Sequence, residues 1–181
     1  MRAMELREAR REDAQAIAML TIGAFGESEF GHQGEAELVA AWSQHAGSLS
    51  VVALEGEQVV GHILFSEVEL RSPTGTLRGM GLAPMSVLPE RQRAGIGGAL
   101  IRDGLARLDA PFCVVLGHPD YYPRFGFRKA GDYSLRHGFD GVPQEVFFVL
   151  ERVEGALAPH RDGCVFYDVL FGEQHYDERS S

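Results

Sequence analysis

Cysteine is scarce: the 181 residues contain only Cys113 and Cys164, and they form no C-x-x-C pair. Such spacing offers neither a redox motif nor a thiolate cage, so burial is the expected role of both. The seven histidines show no metal-ligand spacing, and His32, His45 and His62 form no i, i+4 pair; no metal is expected. Apolar runs fall far short of the roughly 20 residues that span a bilayer. The opening Met1-Arg2-Ala3-Met4-Glu5 runs into charge at once, unlike a leader segment. Basic residues are outnumbered, 17 Lys and Arg against 26 Asp and Glu, giving a formal net charge of −9. That balance argues against a nucleic-acid surface and suits a cationic substrate. No linker, repeat or low-complexity run divides the chain. With 45% hydrophobic residues it can bury one substantial core. A soluble cytoplasmic protein without nucleic-acid or membrane partners is the expectation.

What is present concentrates between Leu82 and Ile101. An extended apolar run meets Pro89, a polar stretch follows, and Gly95, Gly97 and Gly98 open a helical pattern. Its apolar face comprises Ile96, Leu100, Ile101, Leu105 and Leu108. Glycines at a helix start let a ligand approach the backbone, and the first turn offers free N–H groups and the positive end of the macrodipole. The combination is an anion cradle suited to phosphate. A P-loop would need Gly-Lys-Ser/Thr where Gly97-Gly98-Ala99 stands, and a dinucleotide fingerprint would want a third glycine in place of Leu100. A glycine-rich connection without ligand is the plain alternative.

Upstream, residues 3–7 alternate as a strand, and Arg11-Glu12-Asp13 puts acids in the first turn of a helix carrying Ile17, Leu20 and Ala24. A polar loop over 27–34 leads to a second helix over 34–45, with Leu38, Val39 and Trp42 apolar. Strands follow over 50–54 and 58–68, joined by a tight turn at Glu55-Gly56-Glu57. Residues 71–76 read as another turn. The strand over 77–88 contains Gly79, Gly81 and Pro84, which a regular central strand avoids, so its pairing should break or bulge. The helix should run to about Asp109, stopped by Pro111, before the buried-type strand Phe112-Cys113-Val114-Val115-Leu116. Strand, crossover helix and strand make a parallel unit. Residues 133–136 and 145–150 are expected to close the sheet as an antiparallel pair.

Gln92-x-x-Gly95-x-Gly97, following Val87-Leu88-Pro89, resembles the acyl-CoA pyrophosphate loop of the GNAT (Gcn5-related N-acetyltransferase) family. The opening Leu6-Arg7-x-Ala9-x-x-x-Asp13-Ala14-x-x-Ile17 looks like that family's start. Tyr122, four residues before Gly126-Phe127, stands where the family carries a tyrosine. The stretch Val115-Leu116-Gly117-x-Pro119-x-Tyr121-Tyr122-x-Arg124-Phe125-Gly126-Phe127 resembles the YhbS-like acetyltransferases. The usual Asn-x-x-Ala helix before the tyrosine is replaced by Gly117-His118-Pro119-Asp120; one or two turns are expected there, and no asparagine contact carries over.

The resemblance covers about residues 3–150. It implies an α/β (α+β) GNAT domain over 1–150, with a central mixed, mostly antiparallel sheet, splayed parallel strands 4 and 5, and flanking helices. Residues 151–181 would be an extension, with one added strand over 163–169 and a frayed tail over 173–181. The pantetheine arm would pair with backbone near Met85, Ser86 and Val87, and the pyrophosphate would lie on Gln92, Arg93, Ala94, Gly95, Ile96, Gly97 and Gly98. Acetyl-CoA would be the co-substrate, without a metal. The acceptor would be a small-molecule or protein amine, and a homodimer is compatible with the family.

Acyl transfer to an amine needs a polarised thioester carbonyl, an unprotonated amine and a proton for the departing thiolate. A backbone N–H near Met85 to Val87 can polarise the carbonyl. A phenol stays protonated at neutral pH, and Tyr122 is in the family's position to donate; Tyr121 competes. His118, Glu67 and Glu69 are candidate bases. With no cysteine near the loop, direct attack is expected. Glu27, Glu29, Glu35 and Glu37 flank the region that walls the acceptor in the family, which favours a small cationic amine. Two other readings stay open: a non-catalytic acyl-CoA-binding or regulatory module on the same fold, and a nucleotide-binding protein using the loop for phosphates.

Overall fold

In the computed structural model, which describes residues 4–25 and 47–167, the chain divides into two compact units. One comprises residues 1–65 and 83–108, the other 66–82 and 109–181. The expected helix over 34–45 with Leu38, Val39 and Trp42, the acids Glu27, Glu29, Glu35 and Glu37, Val169 and the polar tail lie outside the described residues. No helix among the described residues is long and apolar enough to cross a membrane.

The first unit begins with β1 (Met4–Glu8), paired antiparallel with β2 (Leu49–Glu55). Between them, Arg11–Asp13 forms a 3-10 turn that leads into α1 (Ala14–Phe25). The acids therefore precede the helix proper. Asp13 is buried, and its carboxylate accepts hydrogen bonds from the Arg10 amide at 2.6 Å and from the Arg7 guanidinium at 2.6 and 2.9 Å. A two-point ion pair, rather than the helix dipole, explains that aspartate. It also holds the Asp13 carboxyl below the usual carboxylate range. Strand β3 (Gln58–Ser72) pairs antiparallel with β2, and Glu55 faces Gln58 across a turn in which Gly56 takes φ 67°. Helix α2 (Ile96–Arg107) ends two residues before the expected Asp109, with Leu108 already extended. Ile96, Leu100 and Ile101 are buried as the periodicity predicts. The packing of α2 needs glycine on both partners. A Cβ on Gly61 would come within 2.8 Å of Ile96, and one on Gly104 would enter the Phe65 ring.

The second unit holds the far part of β3 and the early part of β4 (Gly75–Val87), which runs on into the first unit. Met80, Gly81 and Leu82 of β4 pair in parallel with Cys113, Val114 and Val115 of β5 (Phe112–Leu116), the crossover geometry expected. The ladder ends at Leu82–Val115, just before Pro84, which has no N–H to donate. The strand itself is continuous. Gly79 and Gly81 mark close approach, not bulges: a Cβ would lie 2.5 Å from the Phe112 ring and 2.5 Å from the Tyr167 ring, respectively.

Beyond β5 come β6 (Arg128–Lys129), β7 (Arg136–His137), β8 (Phe147–Glu151) and β9 (Cys164–Tyr167). The expected pairing of 133–136 with 145–150 is corrected. Strand β8 pairs antiparallel with β5 and β6, β7 runs parallel to β9, and residues 130–133 form a 3-10 turn. Strand β9 pairs antiparallel with Val68 to Arg71 of β3, adding a strand where alternation at Val165 and Tyr167 suggested one. The sheet pairings are thus mixed and mostly antiparallel, as expected. Val68, Leu70, Phe112, Val114, Phe147, Val149 and Val165 fill this unit's core. Both cysteines are buried and free, and burial pushes the Cys113 thiol up to about 12 and that of Cys164 to about 11.

Two helical glycines differ in consequence. Gly104→Ala should destabilise the protein by about 1–3 kcal/mol, because the buried Phe65 ring has to move. Gly23→Ala, where nothing lies within 4 Å of the added methyl, should stabilise by about 0.5–1 kcal/mol. Urea denaturation of the two variants measures both signs.

His62 supplies a pH-dependent term. It is fully buried on β3, one ring nitrogen lies 2.8 Å from the Ser50 hydroxyl, and the other has no partner. Burial lowers its pKa from 6.5 to about 4, with Asp13 opposing weakly. The unfolded chain therefore binds the extra proton first. Stability is full above about pH 6.5 and falls progressively towards pH 4, by on the order of 3 kcal/mol. Unfolding free energies measured across that window should show the loss in the wild type and not in a folded His62→Gln variant.

Candidate functional site

Where β4 ends, the chain makes a 3-10 turn at Pro89–Arg91 and enters α2 through Gly95. Gly95 is the N-cap and adopts φ 86°, ψ −1°, a left-handed conformation that glycine takes without strain. It brings no side chain to cap the helix. The Ala99 amide donates to the Gly95 carbonyl at 3.0 Å, which closes the first helical turn. The amides of Ile96, Gly97 and Gly98 precede that bond and find no acceptor within the helix. Gln92, Arg93, Ala94 and Gly95 are exposed and Gly97 and Gly98 half-buried, so the helix start opens to solvent along its glycines. Three amides and the positive end of a 12-residue helix dipole together favour an anion at this point.

The predicted residues contribute differently. Ile96 is buried, with its side chain against Gly61, so only its main chain is available to a ligand. Gln92 extends its amide towards the Val87 carbonyl at 3.4 Å. Arg93 has φ 62°, left-handed without being glycine. Met85 and Val87 are half-buried, while the Ser86 side chain is buried and its hydroxyl has no partner. Ser86 therefore presents main chain rather than hydroxyl to anything bound along β4. The first unit brings Met85 to Gly98 together as one continuous strand end, loop and helix start.

Tyr122 stands in the second unit, in a single 3-10 turn over Tyr122–Phe125 that Gly126 ends at φ 90°. The short helix expected over Gly117-His118-Pro119-Asp120, before the tyrosine, is not formed; the helical turn begins at Tyr122 itself. The Tyr122 ring lies so close to Gly117 that any side chain there would strike it, and it meets Phe127 edge-on at 5.8 Å. Burial pushes its phenol up to about 12, with Tyr121 and Cys113 adding to the effect. Tyr121 is half-buried, edge-on to Tyr122 at 5.3 Å, against Phe125 and beneath the Arg124 guanidinium at 4.6 Å. Of the two tyrosines, the inward one is Tyr122.

The candidate bases are less enclosed. His118 is exposed. Glu67 is paired with Arg78 at 3.4 Å and Glu69 with Arg71 at 2.8 Å. Two features escaped the sequence reading. Arg91, at the loop entrance, forms an ion pair with Glu55 of the β2–β3 turn, and His62 and Ser50 form a buried polar pair. Neither has a motif, because each joins residues 12 or more positions apart. No group of three His, Cys, Asp or Glu among the described residues is arranged to hold a metal.

Comparison with known proteins follows the same outline. A family model for the acetyltransferase (GNAT) domain matches residues 5–130. The uncharacterised N-acetyltransferase YjhQ of Escherichia coli K12 is 39% identical over 142 residues, 75% of either chain. A GNAT family acetyltransferase from Brucella melitensis, solved in complex with acetyl-CoA, shares 38% identity over 95% of this chain and 100% of its own, with a TM-score of 0.76. Escherichia coli YhbS, solved with CoA, shares 29% identity over 96% of this chain and 94% of its own, with a TM-score of 0.82. With a parallel β4–β5 pair, a glycine-opened α2 and a family match over most of its length, the chain belongs to the GNAT acetyltransferase family.

Proposed function

We propose that the protein is an acetyl-CoA-dependent N-acetyltransferase that moves the acetyl group to a primary amine by direct attack. The observation that carries this reading is the uncapped start of α2, where the Ile96, Gly97 and Gly98 amides lie open behind a left-handed glycine. The solved relatives with CoA or acetyl-CoA support it. In this reading the pyrophosphate of CoA accepts hydrogen bonds from the loop over 92–98, and the pantetheine arm runs along the main chain of Met85, Ser86 and Val87.

The amine nitrogen attacks the thioester carbonyl carbon, and a backbone N–H of that strand end stabilises the resulting oxyanion. The carbon–sulfur bond then breaks, the Tyr122 hydroxyl protonates the thiolate, the nitrogen releases its proton to a base or to water, and solvent returns a proton to the Tyr122 phenolate. The products are the acetamide and free CoA thiol. A phenol at about 12 stays protonated throughout the working range but is a weak donor. The ion pairs of Glu67 and Glu69 favour a second reading, a module that binds acyl-CoA without turning it over. CoA-thiol release from acetyl-CoA across a panel of amines separates the two: binding without release supports the module.

Gly97→Glu should abolish CoA binding while the fold persists, because a carboxylate at the helix start occupies and repels the pyrophosphate. Calorimetric titration with CoA and a circular-dichroism melt test this; undiminished affinity removes the loop from the mechanism.

Tyr122→Phe should lower turnover by about 10²–10⁴-fold and leave CoA affinity within a small factor, since the ring still packs and only the proton is lost. In the wild type, ionisation of this phenol should not depress the rate until the pH nears 12. A pH–rate profile with a decline at lower pH that persists in the phenylalanine variant assigns that decline to another group.

A further inference from the structure

The loop that meets the phosphates has a shape it would not keep unaided. Arg93 is left-handed at φ 62° without being glycine, and Gly95 follows at 86°. Such a conformation persists where the surroundings over-determine it. The turn before it is closed by the Arg91 amide on the Leu88 carbonyl at 2.8 Å and the Gln92 amide on the Pro89 carbonyl at 3.3 Å, and further contacts anchor it. The Leu88 amide donates to the Val60 carbonyl of β3 at 3.0 Å, the Gln92 side chain reaches the Val87 carbonyl, and the Arg91 guanidinium pairs with the Glu55 carboxylate. The first two hold the chain before the loop. The Glu55 pair adds a side-chain tie from the turn at 89–91 to the β2–β3 hairpin, beside the Leu88–Val60 main-chain bond, and Glu55 is itself fixed by strand pairing with Met4 and Gln58. The Glu55 side chain is 21% exposed and that of Arg91 41%, so the pair is partly withdrawn from water.

We propose that Glu55 is a positioning residue for the cofactor: it engages Arg91, pins the loop in its left-handed course, and leaves the α2 amides and the exposed Arg93 to meet the pyrophosphate. This rests on the reading of the loop as a CoA site. Arg91, two residues from Arg93, carries a charge that could meet phosphate, but its guanidinium is committed to the Glu55 carboxylate. A carboxylate near a phosphate site repels phosphate, so its presence there is explained by what it holds. Glu55 touches no reacting atom and acts through Arg91.

The test is a double-mutant cycle in equilibrium binding, with CoA and with pantetheine, which lacks the phosphates, as probes. Glu55→Ala and Arg91→Ala should each weaken CoA roughly fivefold, the scale of a partly buried ion pair. The double variant should lose no more than either single one, because both remove the same contact. Pantetheine affinity should stay within about twofold of the wild type. Glu55→Gln, which keeps size and a hydrogen-bond acceptor, should fall between, and reads the effect if the alanine variant does not fold. Unchanged or tighter CoA binding in Glu55→Ala overturns the proposal, since Arg91 would then be a phosphate ligand that Glu55 restrains. An equal loss of pantetheine overturns it too, because the role would be general stability. Wild-type protein that binds no CoA at all would instead overturn the function proposed for the loop.

Discussion

Backbone hydrogen bonding at the β4–α2 junction governs the candidate site. Every helix begins with amides that lack intrahelical acceptors, and most proteins satisfy them with a Ser, Thr, Asp or Asn side chain. Here Gly95 occupies the cap and supplies none, while Gly97 and Gly98 in the first turn add no side chains to screen the amides. Upstream, the parallel ladder between β4 and β5 stops at Leu82–Val115, and Pro84 cannot donate. From Ala83 onward β4 has left its parallel ladder with β5 while remaining strand to Val87, so main chain on that edge is not used by β5. In the function proposed above, the pantetheine amides and pyrophosphate of an acyl-CoA would take those partners.

Close packing around glycines supports the framework. Gly61 of β3 admits Ile96 of α2 and Gly104 of α2 admits the Phe65 ring, while Gly79 and Gly81 make room for the Phe112 and Tyr167 rings. Gly117 does the same for Tyr122. In each case a missing methyl is replaced by the edge or face of a larger side chain, which keeps the interior dense. The inward placement of Tyr122 thus follows from Gly117 and Phe127, and its raised pKa follows from that burial.

Buried polar groups show the same tension between packing and solvation. His62 forms one hydrogen bond and leaves a nitrogen unmatched, so it stays neutral well below its ordinary range. Asp13 is buried as a charge because Arg7 and the Arg10 amide satisfy it. The carboxylates proposed as bases from the sequence lie where arginines already hold them. Their residue type suited the chemistry; their neighbours give them another partner.

The sequence by itself determined the local features with strong periodicity or restricted backbone. These include the buried face of α2, the hairpin at Gly56, the buried β5 strand, the glycine-opened helix and the tyrosine before Gly126-Phe127. All depend on residues within a few positions of one another, where pattern and φ preference suffice. Tertiary structure decided the rest. Residues 133–137 could pair with several strands in principle, and packing joined β7 to β9 and β8 to β5 and β6. Gly79 and Gly81 looked like faults in a strand until rings distant in sequence were placed over them. Which of Tyr121 and Tyr122, one residue apart and chemically alike, lies inward was decided by which ring rests against Gly117. The pairing of Glu55 with Arg91 joins a hairpin to a loop 36 residues away. No local rule encodes such a contact, because its energy exists only once the chain has brought the two charges together.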